Sequence, residues 1–314
     1  MEDYPRTLAE FERRFATEEA CRTYVAELRW PKGVVCPRCQ GETGWQRSRA
    51  LWLCAACGYE ASVTAGTIFQ GTRHPLTLWF RAIWWVTSQK TGASALGLQR
   101  VLGLGSYETA WTWLHKLRRA MVRPGRDRLA GRVEVDETYW GGPGEGAHGR
   151  KRTPKKALIV VAAQEDGAGI GRIRMRRIRD ASAASLQPFV RAAIAPGSVV
   201  RTDGWEGYTG LPAHGYTHEV KPLRRRPGAA VALLPRVHRV VALLKRWLLG
   251  THQGAVSVAH LDYYLDEFTF RFNRRTSRSR GKLFYRLLQQ AVAVDPVPYA
   301  AMIKHTYGRK PRKR

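Results

Sequence analysis

The stretch Val133-Glu-Val-Asp-Glu-Thr-Tyr-Trp-Gly-Gly142 decides how this chain is read. It sets Glu134, Asp136 and Glu137 inside a β-branched, aromatic run bounded by glycine-rich sequence, in a chain with 53 Lys+Arg against only 25 Asp+Glu. Such a run is a strand that carries acid toward its middle. Alternate side chains of a strand point to opposite faces, so Glu134, Asp136 and Thr138 share one face while Val133, Val135, Glu137 and Tyr139 share the other. Burying a carboxylate costs on the order of several kcal/mol unless a cation or hydrogen-bond donors compensate it. A divalent metal is one such compensation, with Asp136 as the first candidate ligand. Pairing with some of the many arginines is the other, because structural ion pairs also place carboxylates in strands.

Composition bounds the partners. The 314 residues suffice for two or three domains and at least one sizeable core. A formal net charge of +28, spread over sequence with 11 Trp and 12 Tyr, favours a polyanion and argues against an ordinary metabolic enzyme. The longest apolar run, Ala157 to Ala163, is strand-sized and far short of the roughly 18 residues of a spanning helix, so a membrane is not expected as partner. Met1 to Arg14 mixes acids with bases and does not read as a secretory signal. Five cysteines, four of them in two close pairs, suit metal binding in a reducing cytosol better than a disulfide scaffold.

In chain order, apolar residues at three- and four-residue spacing make residues 1–29 helical, with Cys21 a buried thiol on the apolar stripe. Cys36-Pro-Arg-Cys39, fourteen intervening residues and Cys54-Ala-Ala-Cys57 then let four thiolates converge on one structural zinc ion around a short hairpin. Trp45, Leu51 and Trp52 would cover that site, and Arg38, Arg47 and Arg49 lie near it. From Pro75 to Met121 the pattern is helical. Ser106 is a plausible N-cap, and Ala110, Leu114, Leu117 and Met121 form the inward stripe of the helix that follows. Trp111, His115, Lys116, Arg118 and Arg119 fall outside the stripe, which predicts a helix-turn-helix whose last, basic helix contacts DNA. A small bundle linking two domains is the alternative.

Beyond the central strand, Gly141 to Pro154 is a basic, glycine-rich loop, and Ala157–Ala163 and Gly171–Ile178 are further strands. Ala181 to Ile194 is a helix, and Val199 to Trp205 a short strand ending on Asp203 at a glycine turn. An α/β sheet presents ligands at the carboxyl ends of its strands, which makes Asp203 the second candidate metal ligand; an Asx turn before Gly204 is the alternative. In the helix from Pro235 to Leu249, Val237, Val240, Val241, Leu244 and Leu248 form one stripe. His238 and Lys245, seven apart, point along one line at its flank, and Arg239 with Arg246 make a second basic row. A lone histidine in such a place is usually a core residue, and only the two upstream acids raise His238 above that. Asp266 and Glu267 are rival ligands, although Glu267 with Arg271 at i,i+4 reads as a structural pair. The arginine-rich segment Asn273 to Arg280, with Arg274 and Arg275, and the tail Gly308 to Arg314 are expected to contact phosphate.

The chain resembles bacterial insertion-sequence transposases with an N-terminal zinc ribbon and an RNase-H-like DDE domain, the ISXO-like group. The resemblance rests on Trp30-Pro-x-Gly-x-x-Cys-Pro-x-Cys39, Ser62-Val-Thr-Ala-Gly-Thr-Ile-Phe69, Val133-Glu-Val-Asp-Glu137, Thr202-Asp-Gly-Trp205, Lys245 with Gly250-Thr-His252, and Tyr264-Leu-x-Glu-Phe-x-Phe-Arg-Phe-Asn-Arg-Arg275. It implies an α/β RNase-H-like catalytic domain over residues 126–290. Ahead of this come a helical segment (1–29), a zinc ribbon (30–72) and a helical, helix-turn-helix-like DNA-binding segment (73–125), and a basic tail (291–314) follows. The family's first two catalytic acids fall on Asp136 and Asp203, and its third position on His238, where many relatives carry Glu. Lys245 would touch DNA phosphate. The resemblance further implies catalytic Mg²⁺ or Mn²⁺, double-stranded DNA as partner at the element's ends and at the target, a homo-oligomer, and a place in the bacterial cytoplasm at the nucleoid. A catalytically inactive DNA-binding relative and an RNase-H-like nuclease without strand transfer are the competing readings.

Overall fold

The computed structural model describes residues 2–47, 51–123, 125–141, 156–220 and 233–303. Arg49, most of the loop Gly141–Pro154 and the basic tail from Gly308 lie outside them. The chain divides into two compact units, residues 1–123 with 276–314, and residues 124–275.

The first unit opens with helices α1 (Leu8–Arg14) and α2 (Glu18–Arg29), whose N-cap hydroxyls on Thr7 and Thr17 accept from the amides of Glu10 and Ala20. Each cap satisfies a donor that the first helical turn leaves without a partner. Cys21 is buried as the pattern predicts, and that burial pushes its thiol up to about 12. Strands β1 (Gly44–Arg47), β2 (Leu51–Cys54) and β3 (Glu60–Ser62) form an antiparallel sheet in that order. Helices α3 (Leu76–Ser88), α4 (Ala95–Leu102) and α5 (Tyr107–Ala120) follow. Gly103, at φ 63°, ends α4 in the left-handed conformation that glycine adopts without strain, and Ser106 caps α5.

The second unit is built on β4 (Arg132–Trp140), the acid-bearing strand of the opening stretch. With β5 (Ala157–Asp166), β6 (Gly169–Ile178), β7 (Val199–Thr202) and β8 (Thr217–Val220) it forms a five-stranded mixed sheet of order β6-β5-β4-β7-β8. The pairs β4–β5 and β5–β6 are antiparallel, while β4–β7 and β7–β8 are parallel. Helix α6 (Ala183–Ala193) covers one face, where Leu186, Phe189 and Val190 pack against Val133, Val135, Leu158, Val160 and Val200. Helices α7 (Pro235–Gly250) and α8 (Leu261–Phe272) lie against the other, α7 on β4 and β5 and α8 on β6. The α7 side chains buried there, Val237, Val240, Leu244 and Leu248, belong to the stripe read from the sequence.

Helices α9 (Arg280–Ala291) and α10 (Tyr299–Ile303) return to the first unit. Phe284 of α9 packs its ring against Phe11, Phe15, Phe80 and Trp84, with centroids 5.3 to 5.8 Å away. The sequence groups residues to 290 with the acid-bearing sheet, but this aromatic core holds α9 in the other unit. Helix α5 corrects a second expectation. Packed against α4, α9 and α10, it buries His115 and Arg118 together with Ala110, Leu114 and Leu117. With His115 and Arg118 out of solvent, neither is placed to be the DNA contact expected of it. Lys116 and Arg119 remain partly exposed.

No helix among the described residues is long and apolar enough to cross a membrane. A tight approach marks the start of α9, where a Cβ added at Gly281 would stand 1.5 Å from the carbonyl oxygen of Pro5. On helix propensity alone Gly281→Ala would stabilise by up to about 1 kcal/mol. Because the backbone of Pro5 occupies that space, the variant is expected instead to lose on the order of 3 kcal/mol, read as a lower urea midpoint; an unchanged or raised midpoint contradicts the packing.

Candidate functional site

The register of β4 against β7 runs toward the two aspartates. Arg132, Val133 and Glu134 pair with Val199, Val200 and Arg201, and continuing that parallel register by two residues sets Asp136 level with Asp203, just past the end of β7. In Asp136, Oδ1 accepts from the amide of Glu137 at 2.8 Å. In Asp203, Oδ1 accepts from the amide of Trp205 at 3.0 Å, the Asx turn weighed from the sequence, and Gly204 follows at φ 88°. The turn and a role in the site are compatible, because a carboxylate has a second oxygen to offer.

His238 reaches this place through Glu134. The Glu134 carboxylate is buried and accepts from the amides of Arg236 at 2.8 Å and Val237 at 3.0 Å, and from the Arg236 guanidinium at 3.2 Å. These amides are first-turn donors with no partner inside the helix, and a carboxylate is favoured at that end of the helix dipole. Arg236 also holds Glu165 at 2.8 Å and the carbonyls of Gly167 and Gly169, which docks the start of α7 onto three strands. Two residues along β4 from Glu134 is Asp136, and one residue along α7 from Val237 is His238. Their side chains meet with Nε2 of His238 3.6 Å from Oδ2 of Asp136, both partly shielded from solvent. The sequence allowed that these acids pair with arginines; it did not reveal Glu134 as the anchor of α7.

Tyr208 reports on the same acids from within the α6 face. Its hydroxyl donates to Glu137, and its pKa is pushed well above the ordinary tyrosine range, first by complete burial and then by the negative charges of Glu137, Asp136 and Asp203. On α7, Arg239, Lys245 and Arg246 are exposed, and that helix carries no acid. Arg274 and Arg275 lie over the rings of Phe270 and Phe272, at 4.0 and 4.1 Å, and donate to main-chain carbonyls, Arg275 bracing the end of α8 against Ile170 and Gly171 of β6. Glu267, a rival ligand, is buried in an ion pair with Arg271 at 2.8 Å.

The four cysteines gather more tightly. Cys36, Cys39, Cys54 and Cys57 are the one group of three or more His, Cys, Asp or Glu among the described residues whose ligand atoms all lie within 4.8 Å of one another. Asp136, Asp203 and His238 do not close to that distance. The sulfurs of Cys36 and Cys57 are 3.7 Å apart and those of Cys39 and Cys54 3.5 Å, against about 3.8 Å for a tetrahedron of Zn–S bonds near 2.3 Å. The amides of Gln40 and Gly58 turn back onto the carbonyls of Cys36 and Cys54, with φ of 63° and 66°. Burial alone would raise the Cys36 thiol, but amides of Cys39 and Arg38 and the neighbouring thiols bring it down to about 7. Spacing and donor type fit a structural zinc ion. Trp52 covers the cluster as expected, whereas Trp45 points to solvent.

Residues 16–60 match the transposase zinc-ribbon domain and residues 128–273 the ISXO2-like transposase domain. The chain thus carries an ISXO2-like transposase domain behind a transposase zinc-ribbon domain. A protein of Halobacterium salinarum described as an uncharacterized protein in transposable element ISH50 is 30% identical over 129 residues. That match covers 40% of this chain and 42% of the relative, so the chain spans less than half the relative's length. A chain in the crystal structure of a pre-cleavage Mos1 transpososome aligns over 70% of this chain and 79% of its own, at 14% identity and a TM-score of 0.25, a likeness too low to carry an argument.

Two outcomes test the site as drawn. Glu134→Ala leaves the α7 amides and Arg236 without their buried partner, and is expected to cost about 3 kcal/mol of stability, with Glu134→Gln milder; a wild-type melting curve for Glu134→Ala contradicts the anchor. The purified chain is expected to carry one zinc ion by atomic absorption and to lose it in Cys36→Ser, and a zinc-free wild-type chain that keeps its fold contradicts the ribbon site.

Proposed function

We propose that this chain is the transposase of an insertion sequence, binding the element's terminal inverted repeats and catalysing metal-dependent strand cleavage and strand transfer. The observation that carries the reading is that Nε2 of His238 stands 3.6 Å from Oδ2 of Asp136, while the parallel register of β4 with β7 runs toward Asp203 just past the end of β7. That spacing lets Asp136 and His238 share one divalent ion, with Asp203 completing the set. When bound, such ions activate an attacking water or 3′-hydroxyl and stabilise the leaving oxygen of an in-line displacement at phosphate. Carboxylates suit Mg²⁺, while imidazole suits softer ions, so His238 favours tolerance of Mn²⁺.

The remaining residues hold the substrate. Arg239, Lys245 and Arg246 present cations along α7 on from His238, and the net charge of +28 draws a DNA backbone toward any such surface. Pairing two element ends calls for a second copy of the chain, which makes the working form a homo-oligomer. One observation favours a second reading: the ligand atoms of Asp136, Asp203 and His238 do not gather within 4.8 Å of one another as those of the four cysteines do. A relative that grips DNA without cutting it would have such a site.

Incubated with DNA bearing the element ends and either Mg²⁺ or Mn²⁺, the purified protein is expected to nick and join strands. Asp136→Asn should stop both steps while end binding persists in a mobility-shift assay. A wild-type protein that binds ends yet neither nicks nor joins them with either metal leaves the binder reading in place.

A further inference from the structure

Away from the paired aspartates, the first unit holds a cavity of about 410 Å³ lined by Arg73, Trp79, Glu108, Thr112, Trp113 and Lys116. Its floor is rigid. The indoles of Trp79 and Trp113 are buried and stacked at 3.7 Å, 13° from parallel, and Nε1 of Trp79 donates to the Thr72 hydroxyl at 2.9 Å. Lys116 is half-buried with its ammonium 6.0 Å from the centre of the Trp79 ring. Neither Lys116 nor Arg73 has an ion-pair partner within 4 Å among the described residues; Glu108, the acid of the lining, is exposed and pairs with neither. The capping hydroxyls do not compete for a ligand, since Ser106 and Thr109 bond each other at 2.9 Å and Ser106 accepts from the Thr109 amide.

Lys116 is therefore an ammonium held half out of water with no anion beside it. Burial lowers its pKa, and no carboxylate offsets that effect. Removing a charge from water without a counter-charge is unfavourable, and nothing inside the unit compensates it. An anion entering the cavity would meet the Lys116 ammonium, the Arg73 guanidinium at the rim and the Thr112 hydroxyl, a donor set suited to the oxygens of a phosphate. We propose that this cavity binds a backbone phosphate of the DNA the protein holds. The inference rests on the reading of the chain as a DNA-binding transposase. It keeps Lys116 among the DNA contacts read from the sequence and places that contact in the cavity beside α5, while His115 and Arg118 are buried.

The test uses the full-length protein, with Lys116→Gln, Lys116→Arg and the rim variant Arg73→Gln, binding an end-bearing duplex and an unrelated duplex across a salt series. Lys116→Gln is expected to weaken both duplexes alike by several-fold and to reduce the slope of log K against log salt by about 1. Lys116→Arg should keep most of the affinity, and Arg73→Gln should act in the same direction as Lys116→Gln. The melting temperature of Lys116→Gln should be unchanged or higher, because a buried charge is removed, whereas a lysine that serves the fold would lower it. If the wild type binds DNA and neither Lys116→Gln nor Arg73→Gln changes affinity or slope, the phosphate site is overturned and the transposase reading survives. If the wild type binds neither duplex, that reading fails first. Inorganic phosphate that raises the melting temperature of the wild type but not of Lys116→Gln, with equal DNA binding by both, would assign the cavity to free phosphate and overturn the DNA contact.

Discussion

One buried carboxylate sets the geometry of the second unit. Glu134 lies inside β4 and takes the first amides of a 16-residue helix that begins about 100 residues later in the chain. An acid so deeply buried is tolerated only because donors meet it, and here they are main-chain amides at the positive end of a helix together with the Arg236 guanidinium. Since Asp136 is two residues from Glu134 and His238 two residues from Arg236, fixing one contact fixes the other. The sheet supplies the rest, as the parallel register of β4 with β7 runs toward the level of Asp136 and Asp203.

The first unit is organised differently. Its helices are held by a cluster of aromatic rings that draws α1, α3 and α9 together from both ends of the chain. The ribbon has almost no core of its own: Cys36, Trp52, Cys54 and Ala61 are its buried apolar residues. With strands of three and four residues, it depends on metal ligation for what burial cannot supply.

Much of this was legible in the order of the residues. Alternation across Val133 to Tyr139 marks β4, the two Cys-x-x-Cys pairs mark the ribbon, and an Asp at a glycine turn after Val199-Val200 marks the end of β7. The α7 stripe places His238 at its flank. What escaped the sequence shares one cause, a partner remote in the chain. Glu134 reads as one acid among three until α7 arrives to claim it. His115 and Arg118 fall outside an apolar stripe drawn from α5 alone, yet both are buried in a unit where α4, α9 and α10 pack on that helix. Arg274 and Arg275 read as phosphate contacts, but the carbonyls that occupy Arg275 belong to β6. The strand β8, Thr-His-Glu-Val, is too short and too polar to announce itself, and it forms because β7 offers a free edge and Arg201 pairs with Glu219 across it.

The proposed meeting of Asp136, Asp203 and His238 around metal is the centre of the account, and locating bound manganese tests it most directly. Crystals grown with Mn²⁺ and measured for anomalous scattering should show a peak touching the Asp136 carboxylate, with Asp203 and His238 as its other protein neighbours. Scattering confined to the four cysteines, or a manganese ion bound elsewhere while the two aspartates stay bare, would contradict it.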